Sequence, residues 1–410
     1  MSMIVTPIKR INIKQSSNVG DKSITHRLLI LASISSGVSH ISNANTGEDV
    51  AHTVDCLNRL GANIICNGSY FTVNPIKKVV SRATLDCGNS GTTARLLAGL
   101  VAGLGVNAKF IGDPSLSSRP MSMLLPLQQM GANVEYTSDS LFVLTANEGL
   151  KGITYRNTSC SAQIKSAILI AGLFAEGITT IEETDKSRDH TERALLYFGA
   201  NIKMEDKIIL TKSNLYGRDV FVPNDISTAS YVIALALCKG KAVIHNVGIN
   251  PTRMGVVLAL QNSHAKITIK NIRSNGFEEF ADIYVYKSKL KKFENLAPIC
   301  QIADEIPLLA LLSAYYKKEF VVKGASSLTT KETNRLATTA QLIQSLGGVA
   351  NYDSDSLTIS KSSGIIGGNI TTYGDHRIAL CGIVAGNISK NGVNIDNADC
   401  INISSPNFYI

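Results

Sequence analysis

A lysine, a serine and an arginine lie close together near the amino end of the chain, in a pattern suited to binding an anion. Lys22 and Ser23 follow Asp21 at the predicted start of a helix, and Arg27 lies one turn further on. The start of a helix offers unpaired N–H groups and a partial positive charge. A lysine adds a compact charge, and an arginine can bind a phosphate or carboxylate through two hydrogen bonds. Taken alone, the pattern favours an exposed, capped helix with solvated charges.

Two loops carry further groups that could hold an anion. The segment Gly88–Thr93 is rich in glycine and opens onto a predicted helix, so its backbone N–H groups can approach an anion closely. Arg119 precedes Pro120, which restricts the arginine to an extended backbone and thereby positions its side chain. For each loop taken alone, a purely structural role weighs about equally with binding.

Candidate proton-transfer groups are concentrated in the second half of the chain. Asp304 and Glu305 begin a very apolar predicted helix, where partial burial would suit a carboxyl group to proton transfer. Complementing the helix dipole is the simpler role for an acid at this position. Lys331 and Arg335 lie four residues apart with Glu332 between them, an arrangement that also fits a surface ion-pair ladder.

These residues lie at the starts of predicted helices that recur along the chain. Six times a short polar segment runs into a long apolar stretch, and the matching apolar positions are 65 to 75 residues apart. Each segment predicts a helix amino terminus, with a serine, aspartate or asparagine supplying the capping oxygen. The recurrence indicates one fold unit repeated around an anion-binding centre. The six segments are Asp21–Arg27, Asn89–Arg95, Ser161–Lys165, Asp225–Ser230, Ala303–Pro307 and Gly374–Arg377.

A second recurring pattern marks the end of another helix in most of these units. Leu57–Ile64 has the form of a last helical turn, a glycine and the start of a strand. Clear copies are Leu127–Val134 and Leu195–Ile202, and weaker ones are Leu342–Val349 and Leu258–Ile267. Because short strands alternate with these helices, the chain is predicted to be an α/β (α+β) protein of six units.

Six units in 410 residues favour two lobes of three units each. We predict that residues 1–13 and 227–410 form lobe 1 and that residues 14–226 form lobe 2, so the chain passes between the lobes twice. The sixth unit is short of a strand, which Ile4–Ile13 is expected to supply.

Composition and charge exclude several classes of protein. Hydrophobic residues make up 44% of the chain and charged residues 18%, which is typical of a globular protein and not of a disordered one. The net charge of +8 is scattered, with one dense basic run at 287–292. Because the aromatic content is 6% and tryptophan is absent, few groups could stack on bases, so nucleic-acid binding is disfavoured.

The cysteines and the apolar runs bear on location and metal binding. The eight cysteines show neither redox nor zinc spacing, so buried free thiols in a reducing compartment are expected, with no metal. No apolar run is long enough to span a bilayer, and the first residues lack the apolar core of a signal peptide. We therefore expect a soluble, cytoplasmic protein.

Taken together and in this order, the motifs resemble those of the EPSP synthase (3-phosphoshikimate 1-carboxyvinyltransferase) family of enolpyruvyl transferases. The resemblance extends from Gly20 to Pro406, and ten collinear matches make chance a negligible explanation although each motif alone is weak. The matching stretches are Gly20–Arg27, Gly88–Thr93, Arg119–Met121, Ser161–Ser166, Ser187–Arg193, Val222–Ile226, Asn250–Arg253, Asp304–Pro307, Lys331–Glu332 with Arg335, and Tyr373–Arg377.

The resemblance implies a fold and a reaction. The implied fold is a two-lobed inside-out α/β barrel of six βαβαββ repeats, three per lobe, with the active site in the cleft between the lobes. The implied reaction transfers the enolpyruvyl group of phosphoenolpyruvate to the 5-hydroxyl of shikimate 3-phosphate and releases phosphate. It proceeds by addition and elimination through a tetrahedral intermediate, in the shikimate pathway to chorismate and the aromatic amino acids. A monomer that acts on these two small substrates without metal or organic cofactor is expected.

The resemblance also assigns roles to individual residues of this chain. Asp304 would take the proton of the 5-hydroxyl, while Glu332 and Lys22 would share the remaining proton transfers. The residues implied to bind shikimate 3-phosphate are Lys22, Ser23, Arg27, Ser161, Ala162, Gln163, Arg188, Asp304 and Lys331. Those implied to bind phosphoenolpyruvate are Lys22, Gly91, Arg119, Gln163, Arg335, His376 and Arg377.

Two positions leave parts of the implied function open. Many family members carry, near the C-terminus, a lysine that contacts phosphoenolpyruvate, and Ile403 stands at the corresponding position here. Gly91 occupies the position at which relatives insensitive to the herbicide glyphosate often carry alanine, but neighbouring residues also matter there. The affinity for phosphoenolpyruvate and the response to glyphosate therefore stay open.

Other interpretations fit the sequence less well. The related transferase that acts on a UDP-amino sugar usually has a reactive cysteine in the loop before the Arg119 equivalent, and here no cysteine lies between Cys87 and Cys160. A basic nucleic-acid-binding protein is disfavoured by the scattered charge. The intact acids Asp304 and Glu332 argue against a catalytically silent relative.

Overall fold

The computed structural model describes residues 1–14, 19–121, 124–145, 149–294, 296–361, 364–406 and 408, which divide into two units. The chain passes between the units four times, whereas the sequence predicted two passages, near residues 14 and 226. Residues 15–18, at the first passage, lie outside the described residues. Unit 1 consists of Met1–Val19, Pro223–Arg273 and Glu279–Ile410, and unit 2 of Gly20–Val222 and Ser274–Glu278.

The helices range from single turns to fourteen residues in length. Within the described residues, short 3₁₀ helices include Ser326–Leu328 and Asp399–Ile403. None of the helices in the described part of the chain is long and apolar enough to cross a membrane. The α-helices there are α1 (Lys22–Ser33), α2 (Glu48–Arg59), α3 (Gly91–Leu104), α4 (Pro114–Ser117), α5 (Leu125–Gln129), α6 (Ala162–Gly172), α7 (His190–Tyr197), α8 (Ile226–Lys239), α9 (Gly255–Asn262), α10 (Ile299–Ile302), α11 (Ile306–Tyr315), α12 (Arg335–Ser345) and α13 (His376–Ile388).

The strands are short, and most have three to five residues. They are β1 (Met3–Val5), β2 (Ile11–Ile13), β3 (Ser35–Ser36), β4 (Ser39–Ser42), β5 (Asn63–Asn67), β6 (Tyr70–Asn74), β7 (Arg82–Asp86), β8 (Asn107–Ile111), β9 (Asn133–Glu135), β10 (Phe142–Thr145), β11 (Thr154–Asn157), β12 (Ile178–Glu183), β13 (Ile202–Met204), β14 (Ile208–Thr211), β15 (Leu215–Tyr216), β16 (Asp219–Phe221), β17 (Gly240–Gly248), β18 (Lys266–Ser274), β19 (Glu279–Tyr286), β20 (Phe320–Val322), β21 (Ala350–Tyr352), β22 (Leu357–Ile359), β23 (Gly368–Ile370) and β24 (Val393–Ile395).

Unit 2 is built from mixed sheets that share one pattern. Their strand orders are β7-β8-β10-β9, β11-β12-β14-β13 and β16-β4-β6-β5, and β15 pairs with β3 in a smaller ladder. In each four-stranded sheet the first two strands are parallel and the remaining neighbours antiparallel. The last strand of the unit, β16, lies beside β4, so the end of the unit's main segment returns to its first sheet.

Unit 1 contains the sheets β18-β19-β17-β2, β1-β24-β23 and β20-β22-β21. The prediction that the amino-terminal residues complete the sixth unit is confirmed for β1, which pairs antiparallel with β24. The second half of that predicted segment behaves differently, because Ile11–Ile13 pairs in parallel with β17 in another sheet. Mixed α/β architecture is therefore present in both units, as the alternation of short strands and helices predicted.

All six predicted helix starts are confirmed, at the beginnings of α1, α3, α6, α8, α11 and α13. In five of them a side chain caps the helix by accepting a backbone N–H, and the caps are Asp21, Ser90, Ser161, Asp225 and Asp375. The prediction of a capping oxygen was wrong for α11, where no side chain makes the cap bond. Nearly every residue of the six helices is buried, so they form the cores of the units and only their polar starts can meet a ligand.

The second recurring pattern corresponds to a helix end followed by a strand. After α2, Gly61 has a φ of 108°, a backbone conformation that residues with a Cβ rarely adopt, and β5 follows directly. In the weakest copy His264 takes the equivalent place with a φ of 66°. The pattern therefore marks a required change of chain direction, and one unit achieves it without glycine.

One segment belongs to a different unit from the one that the sequence predicted. Ser274–Glu278 lies between β18 and β19 of unit 1, yet it packs as part of unit 2. Phe277 is buried in the core of unit 2, and Glu278 accepts a hydrogen bond from His190 at 2.6 Å. The sequence interpretation placed residues 227–410 together because this exchange depends on contacts between distant parts of the chain.

Candidate active site

The start of α1 in unit 2 is a buried cationic site. Lys22 forms an ion pair of 2.6 Å with Asp49, and 13% of its side chain is exposed. Burial lowers the pKa of the neighbouring His26 imidazole, and the charges of Lys22 and Arg27 lower it further. The simpler interpretation of solvated charges on an exposed helix was therefore wrong, because these cations lie within the fold.

Arg27 is held rigidly from three sides. Its Nε donates to Thr191 Oγ1 at 2.7 Å, Nη2 donates to Ser166 Oγ at 2.9 Å, and Nη1 donates to the carbonyl of Ser23 at 2.8 Å. Because these contacts come from α1, α6 and α7, the guanidinium group joins three helices. Its position is thus fixed before any ligand arrives.

Two arginines converge on the start of α3. A methyl group added at Gly91 would lie 2.8 Å from Nη1 of Arg95 and 3.6 Å from Nη1 of Arg119, so this glycine leaves room for both guanidinium groups. Arg119 donates to the side chain of Asn89 and, at 3.2 Å, to its backbone carbonyl. A sequence signal for Arg95 existed, because it lies four residues after Gly91 on the same helix face, but the sequence analysis did not assign it to the site.

Gln163 connects the starts of α3 and α6. Its Oε1 accepts from Arg95 Nη1 at 2.6 Å, and its Nε2 donates to Thr92 Oγ1 at 3.0 Å. Ser161 caps α6 by accepting the N–H of Ile164 at 3.3 Å. The amide side chain therefore lies between two helix starts whose N–H groups attract anions.

Unit 2 contains one group of the residues that the sequence singled out. Arg188 is half-buried immediately before α7, and Ser23 is half-buried in the first turn of α1. The group consists of Lys22, Ser23, Arg27, Gly91, Arg119, Ser161, Ala162, Gln163 and Arg188.

Unit 1 contains a buried arginine that contacts three carboxylates. Arg335 donates through Nε to Asp375 Oδ2 at 2.9 Å and through Nη1 to Asp304 Oδ1 at 3.0 Å, and Nη2 donates to Glu332. Burial lowers the pKa of this guanidinium, but the charges of Asp375, Glu332 and Asp304 raise it well above its usual value. The arrangement brings together two of the predicted proton-transfer acids, Asp304 and Glu332, on one cation.

Arg377 shares Asp304 with Arg335. Its Nη2 lies 3.8 Å from Asp304 Oδ2, and the guanidinium is 6% exposed. Nε and Nη1 of Arg377 make no hydrogen bond to any residue that the structure describes. Because a buried guanidinium seeks partners for all its N–H groups, this side chain is suited to an anionic ligand.

The backbone around α13 holds these groups in place. Asp375 is fully buried and caps α13 by accepting the N–H of Arg377 at 2.8 Å, while it also accepts from Arg335. His376, between the two, is buried as well. Lys331 and Glu332 are half-buried just before α12. The predicted residues in unit 1 are Asp304, Lys331, Glu332, Arg335, His376 and Arg377.

The start of α8 is a buried polar cluster and not merely a connection. Arg253 donates through Nη2 to Asp225 Oδ1 at 3.2 Å and to Ser227 Oγ at 2.7 Å, and Ser227 donates to the buried carboxylate of Glu305. The sequence interpretation assigned no ligand to this start, and for the acids at the start of α11 it weighed a helix-dipole role against proton transfer. Here the helix-start acid instead joins a buried charge network.

One group of potential metal ligands occurs among the residues that the structure describes. Asp189, His190 and Glu278 place ligand atoms within 4.8 Å of one another. Two of these groups already have charged or polar partners, because Asp189 accepts from Arg193 at 2.8 Å and Glu278 accepts from His190.

The C-terminal departure from the family pattern lies on the surface of unit 1. Ile403 ends a 3₁₀ helix and packs, partly buried, against the core of the unit. The buried Ser405 that follows pairs with Thr228 of α8 at 2.9 Å. The described part of the tail therefore packs against its own unit, with an apolar side chain at residue 403.

The matching family model and two similar bacterial proteins carry the same description. Residues 8–409 match the family model described as EPSP synthase (3-phosphoshikimate 1-carboxyvinyltransferase). The chain is 40% identical over 401 residues to the 3-phosphoshikimate 1-carboxyvinyltransferase of Oceanobacillus iheyensis, with 95% of this chain and 93% of that protein covered. It is 37% identical over 404 residues to the corresponding protein of Bacillus cytotoxicus, with 95% of each chain covered.

A solved structure gives the same result. The EPSP synthase of Acinetobacter baumannii superposes with a TM-score of 0.85 and 33% sequence identity, over 99% of this chain and 96% of that one. The likeness therefore covers both units and not an isolated part of the chain.

Proposed function

Because this chain belongs to the EPSP synthase family, we propose that the charged residues of its two units act together on the two substrates of that family. The chain is a transferase, which moves the enolpyruvyl group of phosphoenolpyruvate to the 5-hydroxyl of shikimate 3-phosphate and releases phosphate. This reaction is a step of the shikimate pathway. Both substrates carry several negative charges, so the reaction needs the buried cations described above.

The residues of unit 2 are assigned mainly to shikimate 3-phosphate. Lys22, Ser23 and Arg27 would bind the shikimate portion, and the start of α6, with Ser161, would bind the phosphate. Support comes from the fixed position of Arg27 and from the N–H groups at the capped helix start. The full set proposed for this substrate is Lys22, Ser23, Arg27, Ser161, Ala162, Gln163 and Arg188 in unit 2, with Asp304 and Lys331 in unit 1.

The arginines of both units are assigned to phosphoenolpyruvate. The observation that carries the proposal is the buried guanidinium of Arg377, whose Nε and Nη1 make no hydrogen bond to described residues. A phosphate or carboxylate oxygen would meet that demand through charge-assisted hydrogen bonds. The full set proposed for this substrate is Lys22, Gly91, Arg119, Gln163, Arg335, His376 and Arg377.

Three residues are assigned to proton transfer. Asp304 would accept the proton of the 5-hydroxyl as that oxygen attacks phosphoenolpyruvate, and Glu332 and Lys22 would deliver and remove the proton at the methylene carbon. Addition would then give a tetrahedral intermediate, and elimination would release phosphate. Arg335 supports these assignments, because it holds both carboxylates within hydrogen-bond reach of one group.

The finer description of the fold is part of the same proposal. Two lobes, each an inside-out barrel of three βαβαββ repeats, would place the helix starts at a cleft between the lobes. The recurring sheet pattern of unit 2 and the six buried helices with polar starts support this description.

Location and assembly complete the proposal. All eight cysteines are free thiols, which suits the reducing cytoplasm. We assign the enzyme to the cytoplasm and expect it to act as a monomer on two small-molecule substrates. Gel filtration with light scattering would give a mass near 43.9 kDa for a monomer, and twice that mass would contradict the assignment.

Phosphate release tests the reaction directly. Purified protein is assayed with phosphoenolpyruvate and shikimate 3-phosphate together, and then with each substrate omitted. Release that requires both substrates is expected. Release from phosphoenolpyruvate alone would indicate a phosphatase, and no release with both substrates would refute the proposed function.

A further inference from the structure

A buried ammonium group in unit 2 has no part in the proposed chemistry, yet it contacts the elements that carry it. Lys165 lies in α6, and its side chain is completely buried. Its Nζ lies 2.8 Å from Glu183 Oε2, 2.6 Å from Glu192 Oε1 and 3.4 Å from the carbonyl oxygen of Ser187. A lysine is almost never buried without charged partners, and here one ammonium group contacts two carboxyl groups.

The first carboxylate, that of Glu183, connects Lys165 to the start of α6 through hydrogen bonds. Glu183 Oε1 accepts from Asn157 Nδ2 at 2.8 Å and from Ser187 Oγ at 2.5 Å. Asn157 in turn holds Ser161 by both backbone groups, because its Oδ1 accepts the Ser161 N–H and its Nδ2 donates to the Ser161 carbonyl, each at 3.3 Å. The cap of α6 is therefore connected to the ammonium of Lys165 by three successive hydrogen bonds, through Glu183 and Asn157.

The second carboxylate connects the same ammonium to Arg27. Glu192 follows Thr191 in α7, and Thr191 Oγ1 accepts from Arg27 Nε at 2.7 Å. Thr191 also pairs with Ser166, the neighbour of Lys165, at 2.6 Å. Successive residues of α6 and α7 thus contact either the buried charge network or Arg27.

The third contact lies beside Arg188. Lys165 reaches the carbonyl of Ser187, and the side chain of Ser187 donates to Glu183. Both contacts fix the backbone immediately before Arg188. Three separate elements, the cap of α6, the helix α7 against Arg27 and the segment before Arg188, are therefore held by one charge.

We infer that Lys165 is a positioning residue for shikimate 3-phosphate, which sets the distances among Arg27, Ser161 and Arg188 without contacting the substrate. The inference rests on the proposed function, because those three residues bind shikimate 3-phosphate only under that proposal. Displacing a binding group by about 1 Å can cost roughly 100-fold in rate. Phosphoenolpyruvate is held mainly by other residues, so its binding is expected to change little.

The test replaces the charge and compares the two substrates. Lys165→Met keeps an unbranched side chain that reaches about as far as the lysine Cε, and it removes the ammonium group. We expect the Kd for shikimate 3-phosphate, measured by calorimetry without phosphoenolpyruvate, to rise roughly 10- to 100-fold, while the KM for phosphoenolpyruvate stays within about twofold. The matched control is Lys109→Met, which breaks an exposed pair with Asp139 in the same unit and is expected to change neither constant.

A second variant tests the hydrogen bonds between Glu183, Asn157 and Ser161 without leaving a buried charge unpaired. Asn157→Ala removes the side chain that holds Ser161, while Lys165 keeps both carboxylates. We expect a rise of roughly fivefold or more in the Kd for shikimate 3-phosphate. If Lys165→Met cannot be purified in folded form, this variant tests the inference in its place, because the ion pairs of Lys165 with Glu183 and Glu192 remain.

Two outcomes would overturn the inference. One is a folded Lys165→Met protein with a lower melting temperature but unchanged affinity for shikimate 3-phosphate, which would make the residue purely structural. The other is an equal weakening of the binding of shikimate 3-phosphate and phosphoenolpyruvate, which would indicate a general disturbance of the unit. A different result would show that the proposed function itself is wrong: the wild-type protein would then bind no shikimate 3-phosphate and release no phosphate.

Discussion

Replacing Asp375 by asparagine tests whether the arginine cluster of unit 1 depends on a buried charge. The carboxylate is completely buried, caps α13 and accepts from Arg335 Nε at 2.9 Å and Thr333 Oγ1 at 3.0 Å. Asparagine has nearly the same size and caps helices as well as aspartate does. Asp375→Asn therefore removes the charge and leaves the cap, so the effect reports the contact with Arg335.

The expected loss of stability depends on the carboxylates that still pair with Arg335 in the variant. Removing one partner of a buried ion pair costs about 3–5 kcal/mol, and the lower figure applies because Asp304 and Glu332 still balance Arg335. Unit 1 has about 200 residues, and in a unit of that size 1 kcal/mol shifts the melting temperature by about 2–4 °C. We therefore expect the transition of unit 1 to fall by roughly 6–12 °C.

Calorimetry with a matched control measures the loss. Asp139→Asn is the control, because it removes an exposed carboxylate that pairs with Lys109, and solvent screening makes such exposed pairs contribute little to stability. A shift of Asp375→Asn no larger than that of the control would refute the reasoning, since Arg335 would then be stable without this charge. The KM for phosphoenolpyruvate is expected to rise in the same variant, because Arg335 loses a charged contact that fixes it.

Three further changes test the site and the acid stability of unit 1. Asp304→Asn should lower turnover by roughly 10²–10⁴-fold while shikimate 3-phosphate still binds, and unchanged turnover in the phosphate-release assay would exclude Asp304 as the base. Gly91→Ala should raise the KM for phosphoenolpyruvate about tenfold and leave shikimate 3-phosphate nearly unaffected, because the new methyl group would lie 2.8 Å from Arg95; equal effects on both substrates would contradict that placement. The pKa of Asp282 lies at about 2, because hydrogen bonds from Asn271, the Asn246 N–H and Arg273 outweigh the effect of burial, which alone would raise it. Its carboxylate stabilises the fold above the unfolded pKa of about 3.9, and that stabilisation is lost as the pH falls through about 2. In urea titrations, the free energy of unfolding of Asp282→Asn should therefore decrease less across this pH window than that of the wild type. Parallel decreases in the two proteins would contradict this prediction.

The helix starts could be predicted from the sequence because each depends on a few neighbouring residues. A serine or aspartate before an apolar run is a local signal, and the residues at Lys22, Gly91 and His376 begin helices as expected. The start of α11 was also predicted correctly, but its expected capping oxygen is absent, which shows the limit of that signal. Its leading acid, Glu305, meets Ser227, a residue 78 positions away, and no local pattern contains that information.

The charge networks could not be predicted for the same physical reason. Arg335 gathers carboxylates from positions 304, 332 and 375, and Lys165 gathers them from 183 and 192. From the sequence alone, Lys331–Arg335 fits a surface ion-pair ladder equally well, because burial depends on how the sheets assemble. The family resemblance supplied the roles of Arg335 and Arg377, whereas Lys165 became visible only with its contacts, and the local signal for Arg95 was not assigned to the site.

The segment Ser274–Glu278 also determines when each unit can finish folding during synthesis. The main segment of unit 2 ends at Val222, but the carboxylate that pairs with His190 and the ring of Phe277 leave the ribosome only some 56 residues later. At roughly 5–20 residues per second, unit 2 waits several seconds for its last contacts. Unit 1 waits longer still, because its first strand, Met3–Val5, pairs with Val393–Ile395 near the end of the chain. Neither unit is therefore a separable module of translation, and a gene fragment that ends at Val222 would encode unit 2 without the partner of a buried histidine.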